Sequence, residues 1–381
     1  MPQTALDLTR ALIQCPSVTP QDGGALGVLE STLKQAGFAT HRVTFSDRDT
    51  PDIDNLYARI GTGAPYLVFA GHTDVVPVGD AAHWRFDPFS AELSEGAVWG
   101  RGAADMKGAV AAFAAAACDF VAKHGVPKGS IGFLITGDEE GPSINGTDKL
   151  LRWAYERGER FDHCLVGEPT NPDHLGDMIK IGRRGSLNGT LIAQGKQGHV
   201  AYPQRADNPI PHLMKLIEAL IATPLDSGTE HFDASNLEIV AIESGTRAFN
   251  VIPAEAKARL NIRFNDLWTP DTLQAELRKR LDATGARYTL SFEPCNALAF
   301  LTPPEGFTAL VSEAIEGETG RKPVLSTTGG TSDARFIRAY CPVLEFGLVG
   351  QTMHMVDERV AMADIEGLTR IYTAILERYF G

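Results

Sequence analysis

His72 and Asp74 stand two residues apart in GHTDVVPVGD (71–80), directly after the apolar run PYLVFA. In an extended strand, residues i and i+2 project to the same face. An H-x-D step at a strand end therefore aims an imidazole and a carboxylate together, as in a metal ligand and the group that orients it. Further residues of this chemistry follow other apolar runs. Asp105 comes after AVWGRGAA, Glu139 and Glu140 lie in GDEEG after IGFLIT, Glu168 follows CLVG, and His354 lies in QTMHMVDE, in the loop after PVLEFG. Each of these alone reads equally well as a solvated turn. Delivered to one sheet edge, the carboxylates would repel one another unless cations lay among them, and a two-metal site resolves that conflict. His83, His124, His163 and Asp119 belong to no such pattern and read as structural or exposed.

The elements that must position these groups follow from the hydrophobic pattern. YLVFAG (66–71), IGFLIT (131–136), HCLVG (163–167) and PVLEFG (342–347) have the length and composition of buried strands. Between the first two, residues 104–125 set Met106, Val110, Phe113, Ala117 and Phe120 at helical spacing, with Gly125 as the stop. This alternation implies an α/β sheet layered by helices, in which ligands collect beyond the carboxyl ends of the strands. Residues 181–294 have a different texture, with strands and helices in the order β-α-β-β-α-β. That is a ferredoxin-like α+β order, and it reads as a domain inserted between residues 1–180 and 295–381.

Composition excludes several classes of function. With 48 acidic against 35 basic residues the net charge is -13, which disfavours nucleic acid or an anionic membrane as partner. No apolar run reaches about 18 residues and the N-terminus has no basic-apolar-small order, so neither a membrane span nor a signal peptide is expected and the chain reads as cytoplasmic. The five cysteines are scattered singly, as reduced thiols rather than a disulfide framework or a thiolate zinc site. Against this acidic background, GRR at 182–184 is a candidate for holding substrate carboxylates, because a guanidinium pairs with them bidentately. Arg263 in LNIRF is a second, although a strand arginine with a packed stem and an exposed head would look the same.

GHTDVVP, GRGAADMKG, TGDEE and GEPT, followed by KIGRRGSL, GKQGHVAYP, FNVIP, STTGGTSDARF and MHMVDE, run over nearly the whole chain. On these motifs the sequence resembles the M20 family of co-catalytic zinc peptidases and amidases. The resemblance implies a zinc-peptidase-like α/β catalytic domain, with residues 181–294 as a lid domain through which two chains pair as a homodimer. It implies two Zn2+ per subunit, with Co2+ able to substitute at one site. Asp105 would bridge the ions, His72 and Glu168 would complete one site, and Glu140 and His354 the other. Glu139 would be the general base, Asp74 the partner of His72, and His199 an oxyanion donor reaching in from the partner chain. A cis peptide between Asp105 and Met106 would orient the bridging carboxylate. The substrate would be a small tricarboxylate with one scissile amide, held by Arg183, Ser186, Tyr202, Asn250, Arg263, Gly330 and Thr331. Two alternatives stay open: another deacylase or peptidase of the family, with the same metal site, or a metal-dependent binding protein without turnover. The presence of Glu139 argues against the second.

Overall fold

The apolar runs form the middle of one sheet, because strands buried on both faces need apolar residues at every position rather than at alternate ones. In the computed structural model, which describes residues 4–381, the chain divides into two compact units. The first comprises Met1–Ile181, Thr302–Ser326 and Ser332–Gly381, and the second Gly182–Leu301 with Thr327–Thr331.

The first unit holds an eight-stranded sheet. Its order is Ala39–Asp47, Thr50–Gly61, Ser130–Thr136, Tyr66–His72, His163–Val166, Val343–Glu345, Met178–Lys180 and Val324–Ser326. The strands Ser130–Thr136, Tyr66–His72, His163–Val166 and Val343–Glu345 are mutually parallel, with His72 opposite Thr136, Ala70 opposite Val166, and Val166 opposite Glu345. Their carboxyl ends therefore line one edge, and the residues just beyond them become neighbours. Phe69 stacks on Phe113 of the helix Gly108–His124 at 4.4 Å between ring centroids, and both meet Tyr372 of the helix Met362–Phe380 edge-on. Each such buried ring contributes on the order of 2–3 kcal/mol and pins these helices against the strand that ends at His72.

Helical spacing from Met106 onward overstates where that helix begins. Asp105 (φ −123°, ψ 96°) and Met106 (φ −132°, ψ 28°) are non-helical, regular helix starts at Gly108, and Gly125 ends it at φ 75°. Met106 keeps the burial that its spacing suggested but serves a loop rather than a helix face. The Asp105–Met106 peptide is cis, as the resemblance implied.

The second unit carries a four-stranded antiparallel sheet in the order Asn236–Glu243, Glu255–Phe264, Gly185–Gln194, Tyr288–Phe292, with helices Pro209–Ile221 and Pro270–Asp282. Alternate strand residues, among them Leu187, Leu191, Ala258, Ile262 and Leu290, bury against Leu213, Leu216, Leu220, Leu273, Leu277 and Leu281 of the helices. The order along the chain is β-α-β-β-α-β, but the return to the first unit comes at residue 302, later than the expected 295. Phe300 and Leu301 pair with Arg183 and Gly182, and the Ser186 amide donates to the Ala297 carbonyl, which keeps that segment in the second unit. Residues Thr327–Thr331 also belong here, held by the Thr327 hydroxyl on the His231 carbonyl and by Arg183 on the Thr328 carbonyl. No described helix is long and apolar enough to cross a membrane, and all five cysteines are free.

Candidate active site

Two glycines make room for the segment that carries Asp105. A Cβ on Gly71 would lie 2.4 Å from Met106 Cε, and one on Gly167 would lie 2.7 Å from the same atom. The Met106 side chain thus occupies a slot between the residues that immediately precede His72 and Glu168. This packing draws three candidate ligands from three different elements to one point.

His72 Nε2 lies 3.3 Å from Asp105 Oδ1 and 3.9 Å from Glu168 Oε1. On the other side, His354 Nε2 lies 3.3 Å from Asp105 Oδ2 and 2.7 Å from Glu140 Oε1. Asp105 is therefore flanked by an imidazole on each oxygen. Ligand atoms of His72, Asp105 and Glu140 all lie within 4.8 Å of one another, as do those of His72, Glu139 and Glu168. His72 Nε2 and Asp105 Oδ1 are buried without a hydrogen-bond partner, although they are only 3.3 Å apart. A buried nitrogen and oxygen left unsatisfied in this way are costly unless a cation lies between them, and imidazole with carboxylate is a donor set that suits zinc. The residues fit a metal.

The electrostatics point the same way. Burial pulls the His72 imidazole toward its neutral form, but the carboxylates of Asp105, Glu168 and Asp74 outweigh it and hold its pKa well above the ordinary value. Contacts with Asp105 and Glu140 push His354 up to about 10. Burial raises Asp105, yet the two imidazoles hold it below the usual carboxylate range. Burial, followed by the Asp105 charge, pushes Glu168 well up, and burial together with the Asp333 carboxylate pushes Glu139 up to about 8. Without metal, the pocket draws in protons to supply the positive charge that its carboxylates need.

Asp74 departs from the role expected of an H-x-D step. His72 Nδ1 bonds the main-chain oxygen of Asp74 at 2.9 Å, whereas the carboxylate stands 3.6 Å away. That carboxylate instead accepts from the Thr19 hydroxyl (2.7 Å), the Glu140 amide (3.1 Å) and the Glu139 amide (3.3 Å). It holds the turn that presents both glutamates. Two buried acids were not foreseen as part of the site. Glu358, in the quoted MHMVDE, accepts from the Asp105 amide at 3.1 Å. Asp333, in TSDARF, accepts from the Thr147 hydroxyl at 2.6 Å and is the charged group that most raises Glu139.

His199 and every candidate for binding substrate, Arg183, Ser186, Tyr202, Asn250, Arg263, Gly330 and Thr331, belong to the second unit. They form two groups there. His199 pairs with the half-buried Val251, Val200 N donates to the Asn250 carbonyl, and the His199 and Tyr202 rings lie 5.8 Å apart, with His199, Val200, Tyr202 and Asn250 all exposed. Ser186 and Arg263 are cross-strand neighbours, and Arg183 reaches the loop that holds Gly330 and Thr331 through its bond to Thr328. A Cβ on Gly329, whose φ is +99°, would strike the Arg183 guanidinium at 2.7 Å, so that loop follows the arginine closely.

The model of peptidase family M20/M25/M40 matches residues 68–378. The chain is 75% identical, over the full length of both, to a succinyl-diaminopimelate desuccinylase of Beijerinckia indica subsp. indica. It is 70% identical to another from Methylocella silvestris, over 99% of this chain and 98% of that one. Among solved structures it resembles a dinuclear metal-binding peptidase of the M20 family from Bacillus subtilis, with a TM-score of 0.70 at 15% identity, over 99% of this chain and 98% of that one.

Proposed function

The chain belongs to peptidase family M20/M25/M40, and from that premise we propose that it hydrolyses N-succinyl-L,L-2,6-diaminopimelate to succinate and L,L-2,6-diaminopimelate, a step of lysine and meso-diaminopimelate biosynthesis. Full-length identity to curated relatives bearing that activity in their names carries the reading. The unsatisfied pair His72 and Asp105 supports its metal-dependent chemistry.

In this reading two zinc ions would be held by Asp105 between them, with His72 and Glu168 completing one site and Glu140 and His354 the other, and cobalt could replace one. Bound there, the ions supply Lewis acidity to the amide carbonyl and lower the pKa of water. Glu139 takes the attacking water's proton and returns it to the leaving amine nitrogen. Its pKa near 8 belongs to the metal-free pocket, and nearby positive charge favours the carboxylate form that a base requires. Asp74 holds the Glu139–Glu140 turn by its two amides. Arg183 and Arg263 pair with substrate carboxylates, and Ser186, Tyr202, Asn250, Gly330 and Thr331 complete the cradle.

The chain acts as a homodimer through its second unit, and His199 donates to the oxyanion of the neighbouring subunit. Support comes from the edge strand Asn236–Glu243, where Val240 and Ile242 are 62% and 63% exposed, together with Met214 and Ile221 of the helix Pro209–Ile221, at 66% and 55%. An open strand edge beside an apolar helix face invites pairing with a second copy. Five free thiols accord with a reducing cytoplasm.

Assaying succinyl-diaminopimelate beside acetylornithine, with and without added zinc, tests the reading. Zinc-dependent turnover favouring the succinyl substrate is expected. Preference for acetylornithine would move the chain to another deacylase activity, and no turnover of either would remove the proposal. Mixing inactive Glu139→Ala and His199→Ala chains should restore activity in one site of each mixed dimer. Silence despite proven subunit exchange would put His199 back in its own subunit's site.

A further inference from the structure

We propose that the buried ion pair of Arg101 and Glu358 is the positioning device of the metal centre, fixing Asp105 and His354 against the chain that follows the His72 strand. The inference rests on the reading of these residues as metal ligands. Glu358 is fully buried and Arg101 is 2% exposed. Glu358 Oε2 accepts from Arg101 Nη1 at 2.8 Å and from the Gly102 amide at 3.0 Å. Its Oε1 accepts from the amides of Ala104 at 3.0 Å and Asp105 at 3.1 Å. One carboxylate thus gathers three backbone donors, Gly102, Ala104 and Asp105, of the turn that presents Asp105, and the Gly100 amide adds a further contact to the Glu358 main-chain oxygen.

Arg101 extends the clamp to two more segments. Its Nη1 also donates to the Met355 carbonyl at 3.1 Å, one residue past His354, and its Nη2 donates to the Pro77 carbonyl at 3.3 Å, five residues past His72. The Trp84 ring covers the guanidinium at 5.1 Å. Neither the stretch after Val75 nor that around His354 has regular structure of its own, and His354 and Asp357 sit at φ 61° and 62°, a region that side-chain-bearing residues enter only when their surroundings hold them there. A buried ion pair is weak as a source of stability, since well-packed apolar residues often do as well in its place. It is strong as a source of geometry, because each oxygen and each N–H demands a partner in one direction. Here those directions converge on the main chain of Asp105 and of Met355, the residue that follows His354. Arg101 and Glu358 touch no reacting atom and act through Asp105 and His354.

The test uses full-length Glu358→Gln and Arg101→Lys. Glutamine keeps the shape but sets an NH2 against backbone N–H donors, and lysine keeps the charge but cannot reach Met355, Pro77 and Glu358 together. For both variants, zinc affinity is measured by competition with a chromophoric chelator, Co2+ loading is followed by its visible absorption, and folding of the metal-free chain is followed by circular dichroism. The expected result is a folded chain whose zinc affinity falls 10- to 100-fold and whose Co2+ band changes. Wild-type affinity and spectrum in a folded variant, with only the melting temperature lowered, would make the pair merely structural and overturn the proposal. If Glu358→Gln does not fold, Arg101→Lys decides by the same measurements. Wild-type protein that binds no zinc would defeat the metal reading itself, whereas wild-type protein binding two ions beside indistinguishable variants would defeat only the clamp.

Discussion

Replacing Asp74 by asparagine separates two roles that an H-x-D step could serve. The carboxylate accepts three bonds, from Thr19 and Glu140 on Oδ2 and from Glu139 on Oδ1. An amide can keep its oxygen toward Thr19 and Glu140, which leaves its NH2 facing the Glu139 N–H. At least one bond to a charged acceptor is then lost and two donors are opposed, a cost of about 1.5–3 kcal/mol. If that cost falls on the placement of Glu139 in the transition state, it corresponds to a loss of roughly 10- to 150-fold in kcat/KM. His72 should stay in place, because its Nδ1 is held by the main-chain oxygen of residue 74, which the substitution spares. The expected outcome for Asp74→Asn is therefore a fall in kcat with zinc content unchanged, read by steady-state kinetics beside metal analysis of the same sample. A variant that loses zinc and recovers activity in excess zinc would refute the reasoning and return the carboxylate to His72. Wild-type kcat with both ions bound would show that the Glu139 turn needs no such anchor.

Removing the proposed base by Glu139→Ala should leave both ions bound while lowering turnover by about two to four orders of magnitude; loss of one ion instead would make Glu139 a ligand. Zinc binding to the metal-free protein at pH 7 should release protons, because His354, raised to about 10 by Asp105 and Glu140, holds a proton that a metal must displace. Its affinity should then rise with pH up to about that value, and titration calorimetry whose heats do not vary with the buffer's protonation enthalpy would contradict this. In the second unit, Asp226 is partly buried, which alone would raise it, but bonds from Ser235, Gly228 and Trp268 hold it at about 2. A depressed carboxylate stabilises above the unfolded value near 4, and that contribution disappears as pH falls from about 4 to about 2. Allowing for solvent screening it amounts to about 1–2 kcal/mol. Denaturant melts of Asp226→Asn should lie below wild type at pH 7 and converge with it near pH 2; a constant difference would exclude the mechanism.

His72, Glu140 and Glu168 could be read from the sequence because each lies at or just beyond the end of a short apolar run, and a parallel sheet delivers such residues to one edge. Asp105 instead follows Ala97–Trp99, a strand of a separate antiparallel sheet, and His354 lies in a loop well past Val343–Glu345, so only tertiary packing brings these two to that edge. His72 and Glu168 each follow a glycine at a strand end, and the alternation of runs with amphipathic segments implied the sheet that aligns them. The order β-α-β-β-α-β likewise needs only periodicities of two and 3.6 residues, which are local properties of the chain. The start of the helix at Gly108 was hidden because Met106 satisfies helical spacing while its side chain fills a slot between Gly71 and Gly167, residues 35 and 61 positions away. The return to the first unit at 302 depends on pairing of Phe300 and Leu301 with Arg183 and Gly182, for which no local pattern stands. Asp74, Glu358 and Asp333 show the limit most clearly. A carboxylate's residue type states that it needs donors, but whether it turns to a neighbouring imidazole or to backbone amides 65 and 253 residues distant is settled only when tertiary packing brings those amides within 3.3 Å.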